Sequence, residues 1–142
     1  MNDETVKQLV KEALEARKNA YTPYSHFSVG AALLCADGQI VRGCNIESST
    51  FTPTICAERT AFFKAVSEGK RDFKAIAVVG ARDDVEKPNR FCPPCGVCRQ
   101  VMTEFCDLKT FTIILSDGVN IEGRPLADFL PFAFDFDECK KD

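Results

Sequence analysis

The sequence predicts an α/β domain in which helices cover both faces of a mixed five-stranded sheet, a three-layer α/β/α sandwich. Three observations support this. Stretches with apolar residues at helical spacing alternate with apolar runs of strand length. Two of those runs, FKAIAVVG (73–80) and FTIILS (111–116), are almost continuously apolar, which marks strands covered on both faces. Asp37-Gly38 between VGAALLC (29–35) and QIVRGCNI (39–46) is a hairpin signal. At 142 residues the chain is expected to form one domain spanning 1–142.

The elements follow in order. Val6, Leu9, Val10, Ala13 and Leu14 predict an amphipathic first helix running to about Tyr21. The hairpin strands 29–35 and 39–46 come next, after the turn-rich TPYS. A second helix is expected from Cys56 to about Glu68, with Ala57, Ala61, Phe62, Ala65 and Val66 along one side and Gly69 as its stop. After strand 73–80 and the polar loop GARDDVEKPNR, a third helix starts near Gly96. It carries Cys98, Val101, Met102, Phe105 and Cys106 on one face. Strand 111–116 precedes a short strand after Asp117-Gly118, and Pro125 opens a last short helix that ends before Pro131.

Bulk properties exclude several function classes. A net charge of -3 provides no basic footprint, so a nucleic acid is not an expected partner. No stretch reaches the roughly 18 apolar residues that span a bilayer, so no membrane partner is expected either. The charged, amphipathic N-terminus lacks the apolar core of a signal peptide, which leads to a cytoplasmic expectation. In that compartment the eight cysteines read as thiols or metal ligands and not as disulfides.

Two cysteine-bearing stretches each open a helix after a loop: Cys56 in TICAERTA, and Cys95 and Cys98 in PCGVCRQV. A helix N-terminus carries about half a positive charge and unpaired N–H groups, which favour thiolate. Three thiolates delivered in this way suit zinc above other divalent ions. Two other readings compete. Cys56, Cys92, Cys95 and Cys98 could form a closed structural four-sulfur site, and CPPC could be a redox motif, although its setting between strand and helix differs from one. Glu58 shifts the balance. It lies two residues after Cys56, on another side of the helix axis, where it can approach a water in the open corner of a three-ligand site. The alternative for Glu58 taken alone is a solvated glutamate on a helix surface.

With these residues in view, the sequence resembles the small homotetrameric zinc-dependent cytidine deaminases. The likeness runs through YTPYSHFSVGAALL, GCNIES, ICAERTA, FKAVSEG and PCGVCRQV to FLP-x-x-F, and it includes the three-cysteine form of the zinc-deaminase signature. The resemblance implies a cytidine deaminase-like fold with one Zn²⁺ per subunit held by Cys56, Cys95 and Cys98, and Glu58 as the catalytic proton shuttle. It implies that Arg59 hydrogen-bonds to the zinc-bound sulfurs. Phe27, Asn45, Glu47, Phe51 and Ala57 would contact a nucleoside, and Phe134 would reach the site from a neighbouring subunit of a homotetramer. The implied reaction is hydrolytic conversion of cytidine and 2'-deoxycytidine to uridine and 2'-deoxyuridine with release of ammonia, a step of pyrimidine salvage.

The carboxylate of Glu47 at the sugar argues for a free nucleoside over a nucleotide, since a phosphate would be repelled there. Phe51 stands where many family members have tyrosine, Pro93 where serine is common, and Phe132 where a small residue is frequent. Cys92 is expected not to be a ligand, and His26, the sole histidine, is read as a loop residue. Cys35, Cys44 and Cys106 are expected as core thiols and Cys139 as a tail thiol.

Overall fold

The computed structural model describes residues 1–136, so Cys139 lies outside the described residues. The elements are α1 (Asp3–Arg17), β1 (Phe27–Cys35), β2 (Ile40–Cys44), α2 (Ala57–Ser67), β3 (Phe73–Arg82), α3 (Gly96–Phe105), β4 (Thr112–Ser116) and β5 (Ile121–Pro125), closed by a single 3₁₀ turn at Leu126–Phe129. The strands form one mixed sheet in the order β2-β1-β3-β4-β5. Only β3 and β4 run parallel; β1/β2, β1/β3 and β4/β5 are antiparallel. The three-layer sandwich with a five-stranded mixed sheet is therefore as the sequence implies.

The centre of the sheet explains the apolar runs. Side chains of β3 alternate between two cores. Ile76 and Val78 join Phe62, Met102, Phe111, Ile113 and Leu126 under α2 and α3. Ala75, Ala77 and Val79 join Leu9, Val10, Ala13 and Ile114 under α1. Both faces are thus dry, which is why hydrophobicity in β3 and β4 is nearly unbroken.

Beyond strands β1 and β3 running two residues longer than expected, three element ends differ from the sequence expectation because a long-range hydrogen bond replaces a local one. Helix α1 stops at Arg17 and not near Tyr21. Tyr21 instead donates its N–H to Asn45 O and accepts from Glu47 N, a bridge to the chain leaving β2. Strand β2 ends at Cys44 because Asn45 turns its amide onto β1, accepting from Val29 N at 2.8 Å and donating to Phe27 O at 2.8 Å. Pro125 does not open an α-helix: it is the last residue of β5, and a 3₁₀ turn at Leu126–Phe129 follows it. The amides of Leu126 and Ala127 bond to Phe111 O and Leu108 O, and Leu126 is fully buried in the core.

One glycine determines where α2 lies. Gly43 on β2 faces the first turn of α2. A Cβ there would stand 2.4 Å from Ala57 O and 2.5 Å from Ala61 N, both rigid backbone atoms. Helix α2 rests on the sheet through that gap. Gly43→Ala is expected to lower folding stability by about 1–3 kcal/mol through overpacking, read as a lower denaturant midpoint with an unchanged m-value. An unaltered midpoint would show that the helix does not sit so close.

Candidate metal centre and its surroundings

The N-termini of α2 and α3 meet above the sheet, and the cysteines that begin them meet with them. Cys56 and Cys95 occupy the N-cap positions of α2 and α3 in extended conformation, and neither thiol caps its own helix. An N-cap side chain ordinarily accepts from the helix's first N–H groups; here both sulfurs are turned toward each other instead. Cys98, one turn into α3, is buried beneath them. The Sγ atoms of Cys56, Cys95 and Cys98 all lie within 4.8 Å of one another, with Cys56–Cys95 at 3.8 Å and Cys95–Cys98 at 3.6 Å.

These separations test the fit of a metal directly. Zinc bound to sulfur at about 2.3 Å in tetrahedral geometry requires sulfur atoms about 3.8 Å apart. Two of the three sulfur pairs are already close to that spacing, the third pair lies within 4.8 Å, and none of the three thiols is in a disulfide. Three soft sulfur donors, with no fourth ligating residue joining them among the described residues, suit zinc.

The surrounding charges are arranged for a thiolate cluster. Hydrogen bonds from Cys98, Arg59 and Cys95 draw the Cys56 thiol down to about 5, while the same partnership and burial push Cys98 up. Arg59 places Nη2 3.4 Å from Cys56 Sγ, so the guanidinium does reach the sulfur. Its Nε is buried without a partner among the described residues, leaving one further donor beside the cluster.

Glu58 is only 4% exposed, which removes the reading of a solvated surface carboxylate. Burial pushes its carboxyl up to about 7, with the charge of Cys56 acting in the same direction. Cys92 does not join the trio. Its Sγ packs near Gly80, where a Cβ would lie 2.8 Å from it and 2.9 Å from Phe27 Cε1. Burial first, then the charges of Glu58 and Cys56, push the Cys92 thiol up to about 11. Its place against Gly80, away from the cluster of three sulfurs, is what separates it from the ligand set.

The remaining sequence candidates divide into two groups. Ala57 begins α2 beside Cys56 and is fully buried. Phe27 opens β1, and Asn45 locks Phe27 and Val29 through the two bonds already described. Glu47 accepts from Tyr24 N and Ser25 N through Oε1. A side-chain hydrogen bond from Ser25, followed by these backbone donors, holds its carboxyl below the ordinary range. The second group faces outward. Phe51 is exposed in a left-handed conformation (φ 60°), its ring edge-on to Tyr24 at 6.0 Å. Phe134 is 59% exposed. Gln100 Nε2 donates to its carbonyl, which ties the C-terminal segment to α3.

The family model described as the cytidine and deoxycytidylate deaminase zinc-binding region matches residues 3–114, from α1 into β4. The chain belongs to this family. It is 52% identical over 129 residues to a cytidine deaminase of Sporosarcina psychrophila, covering 91% of this chain and 90% of that one. A cytidine deaminase of Halalkalibacterium halodurans is 50% identical over 128 residues, covering 90% of this chain and 92% of the relative. The crystal structure of a cytidine deaminase from Burkholderia pseudomallei superposes with a TM-score of 0.81 at 40% identity, covering 94% of this chain and all of that one.

Sequence reasoning passed over Arg17 and Asp83 and read His26 only as a loop residue. Arg17 could have been found: it lies four residues after Ala13 and so falls on the apolar face of α1, an unusual place for a charge. Removing Cys92 and removing a cluster thiol should have different effects. Cys92→Ala is expected to keep one zinc per chain after exhaustive dialysis, measured by atomic absorption. Cys98→Ala is expected to lose the metal. Metal loss in the first variant would make Cys92 a ligand.

Proposed function

We propose that this chain is a zinc-dependent cytidine deaminase that hydrolyses cytidine and 2'-deoxycytidine to uridine and 2'-deoxyuridine with release of ammonia. The observation that carries this reading is the combination of three sulfurs clustered within 4.8 Å of one another with a buried carboxylate beside them. Zinc, when held by Cys56, Cys95 and Cys98, supplies a Lewis acid that makes a water nucleophilic near neutral pH. Each proton movement then falls to Glu58. Its carboxylate takes a proton from the attacking water and gives it to ring N3, which makes C4 more electrophilic. After addition it carries a second proton from the new hydroxyl to the exocyclic amine, which departs as ammonia. A carboxyl group near 7 is balanced between the two forms that this shuttle needs.

Phe27 would pack on the pyrimidine, Ala57 and Phe51 would border it, and Asn45 and Glu47 would bind the ribose hydroxyls. Asn45 keeps spare hydrogen-bonding capacity beyond its bonds to Phe27 and Val29. The negative charge that Glu47 retains disfavours a phosphate at the sugar. We read Phe134 as completing a neighbouring subunit's site. Its exposure, with that of Phe132 and Phe51, leaves apolar surface that a homotetramer would cover. No helix among the described residues is long and apolar enough to cross a membrane. The reading is a single-domain cytoplasmic enzyme of pyrimidine salvage, with one Zn²⁺ per subunit.

Ultraviolet monitoring of cytidine with the purified protein tests the reaction. Absorbance characteristic of cytidine should decay, and chelation should stop the decay. Glu58→Gln should lower kcat by about 10²–10⁴-fold while keeping zinc, and near-normal turnover would remove Glu58 from the mechanism. Light scattering should show a particle of four 15.7 kDa chains. Phe134→Ala should raise KM for cytidine several-fold in that tetramer, and an unchanged KM would return Phe134 to its own subunit.

A further inference from the structure

Arg17 is a buried arginine for which the deamination chemistry has no use. Its position on the apolar face of α1 brings it down onto the sheet, where only 9% of it remains exposed. The helix comes this close because β1 has Gly30 beneath it: a Cβ there would stand 2.0 Å from Ala13 O and 2.5 Å from Arg17 N. A buried guanidinium is costly unless its donors are matched. Here they are matched on three separate segments. Nε donates to Ser28 O at the start of β1 at 3.0 Å, Nη2 to Arg82 O at the end of β3, and Nη1 to Glu86 O in the following loop at 3.4 Å. One side chain thus joins the first residues of β1 to the far end of β3.

Asp83, adjacent to one of those carbonyls, continues the connection. Its N–H donates to His26 O at 2.8 Å, and its Oδ2 lies 3.0 Å from His26 Nδ1 and accepts from Thr22 Oγ1 at 3.4 Å. His26 has a φ of 56°, a left-handed conformation that a non-glycine residue keeps only when its contacts hold it. The turn closed by His26 N to Thr22 O is therefore suspended from Asp83. From its other side the same turn donates Tyr24 N and Ser25 N to Glu47, and Ser25 Oγ accepts from Phe27 N at 3.1 Å.

We propose that Arg17 and Asp83 form a clamp that fixes the Tyr21–Phe27 turn and thereby positions Phe27 and Glu47 for nucleoside binding. They are positioning residues: neither belongs to the thiol trio, and both act through the turn. The inference rests on the reading of Phe27 and Glu47 as base and ribose contacts. The clamp explains why arginine is needed. Lysine carries its three donors on one nitrogen at the end of a flexible stem, whereas these carbonyls are met by three separate nitrogens held in a rigid plane.

The test combines kinetics with a readout that needs no turnover. In Arg17→Lys, KM for cytidine should rise about tenfold or more while kcat stays within about threefold and zinc stays at one per chain. Hydrogen exchange at the Tyr24 and Ser25 amides should accelerate about tenfold or more, because the turn opens locally. Asp83→Asn, which keeps the shape but loses the charge, should show the same pattern more weakly, and it carries the test should Arg17→Lys not fold. An unchanged KM, or a fall in kcat and zinc content at constant KM, would overturn the proposal. Were the wild-type protein to turn over no cytidine, the functional reading would fall, and exchange at Tyr24 and Ser25 would still decide the clamp: unchanged protection in both variants overturns it.

Discussion

Two helix N-termini converging on one point is the constraint on which the rest of this structure depends. Each brings unpaired N–H groups and partial positive charge, and each begins with a cysteine whose sulfur is not used to cap its own helix. Neither helix alone would gather three sulfurs. Together they gather the sulfurs of Cys56, Cys95 and Cys98 within 4.8 Å of one another, close to what tetrahedral zinc requires. The convergence depends on the sheet beneath: Gly43 lets α2 descend until its first turn touches β2, and α3 packs Cys98 and Met102 into the same core.

The electrostatics follow from that arrangement. Three thiolates and a divalent ion sum to one negative charge, which opposes ionisation of a coordinated water more than neutral ligands would. The chain offsets this with two helix termini and the guanidinium of Arg59, held against Cys56 at 3.4 Å. Glu58 has the opposite requirement. Buried beside sulfur charge, it is pushed toward the protonated form and so binds and releases a proton near neutrality. Cys92, packed near Gly80 and Phe27, is kept protonated by the same environment. The difference between a ligand and a bystander thiol is thus one of placement: the three cluster sulfurs lie within 4.8 Å of one another, and Cys92 packs against Gly80.

The legible parts of this protein are those governed by neighbours in sequence. Continuous apolar runs announced β3 and β4, and Asp37-Gly38 announced the β1–β2 hairpin. The spacing of Cys95 and Cys98 at a helix start points to a metal from sequence alone. What escaped was set by contacts between distant segments. Tyr21 leaves the helical path to bridge Ile46, Asn45 ends β2 by bonding to β1, and Leu126 gives its amide to Phe111. The burial of Glu58 and the three-segment reach of Arg17 belong to the same class, because local pattern carries no information about which loop will lie across a helix end. Phe51 shows the limit from the other side: placed among substrate contacts by motif, it stands 69% exposed in a left-handed turn of the isolated chain.

The central claim is that three sulfurs, and no fourth, surround the metal. X-ray absorption at the zinc edge of the purified holoprotein measures this directly. The account predicts three sulfur neighbours at about 2.3 Å and one oxygen or nitrogen at about 2.0–2.1 Å. A shell of four sulfurs would close the corner that the chemistry requires and would contradict it.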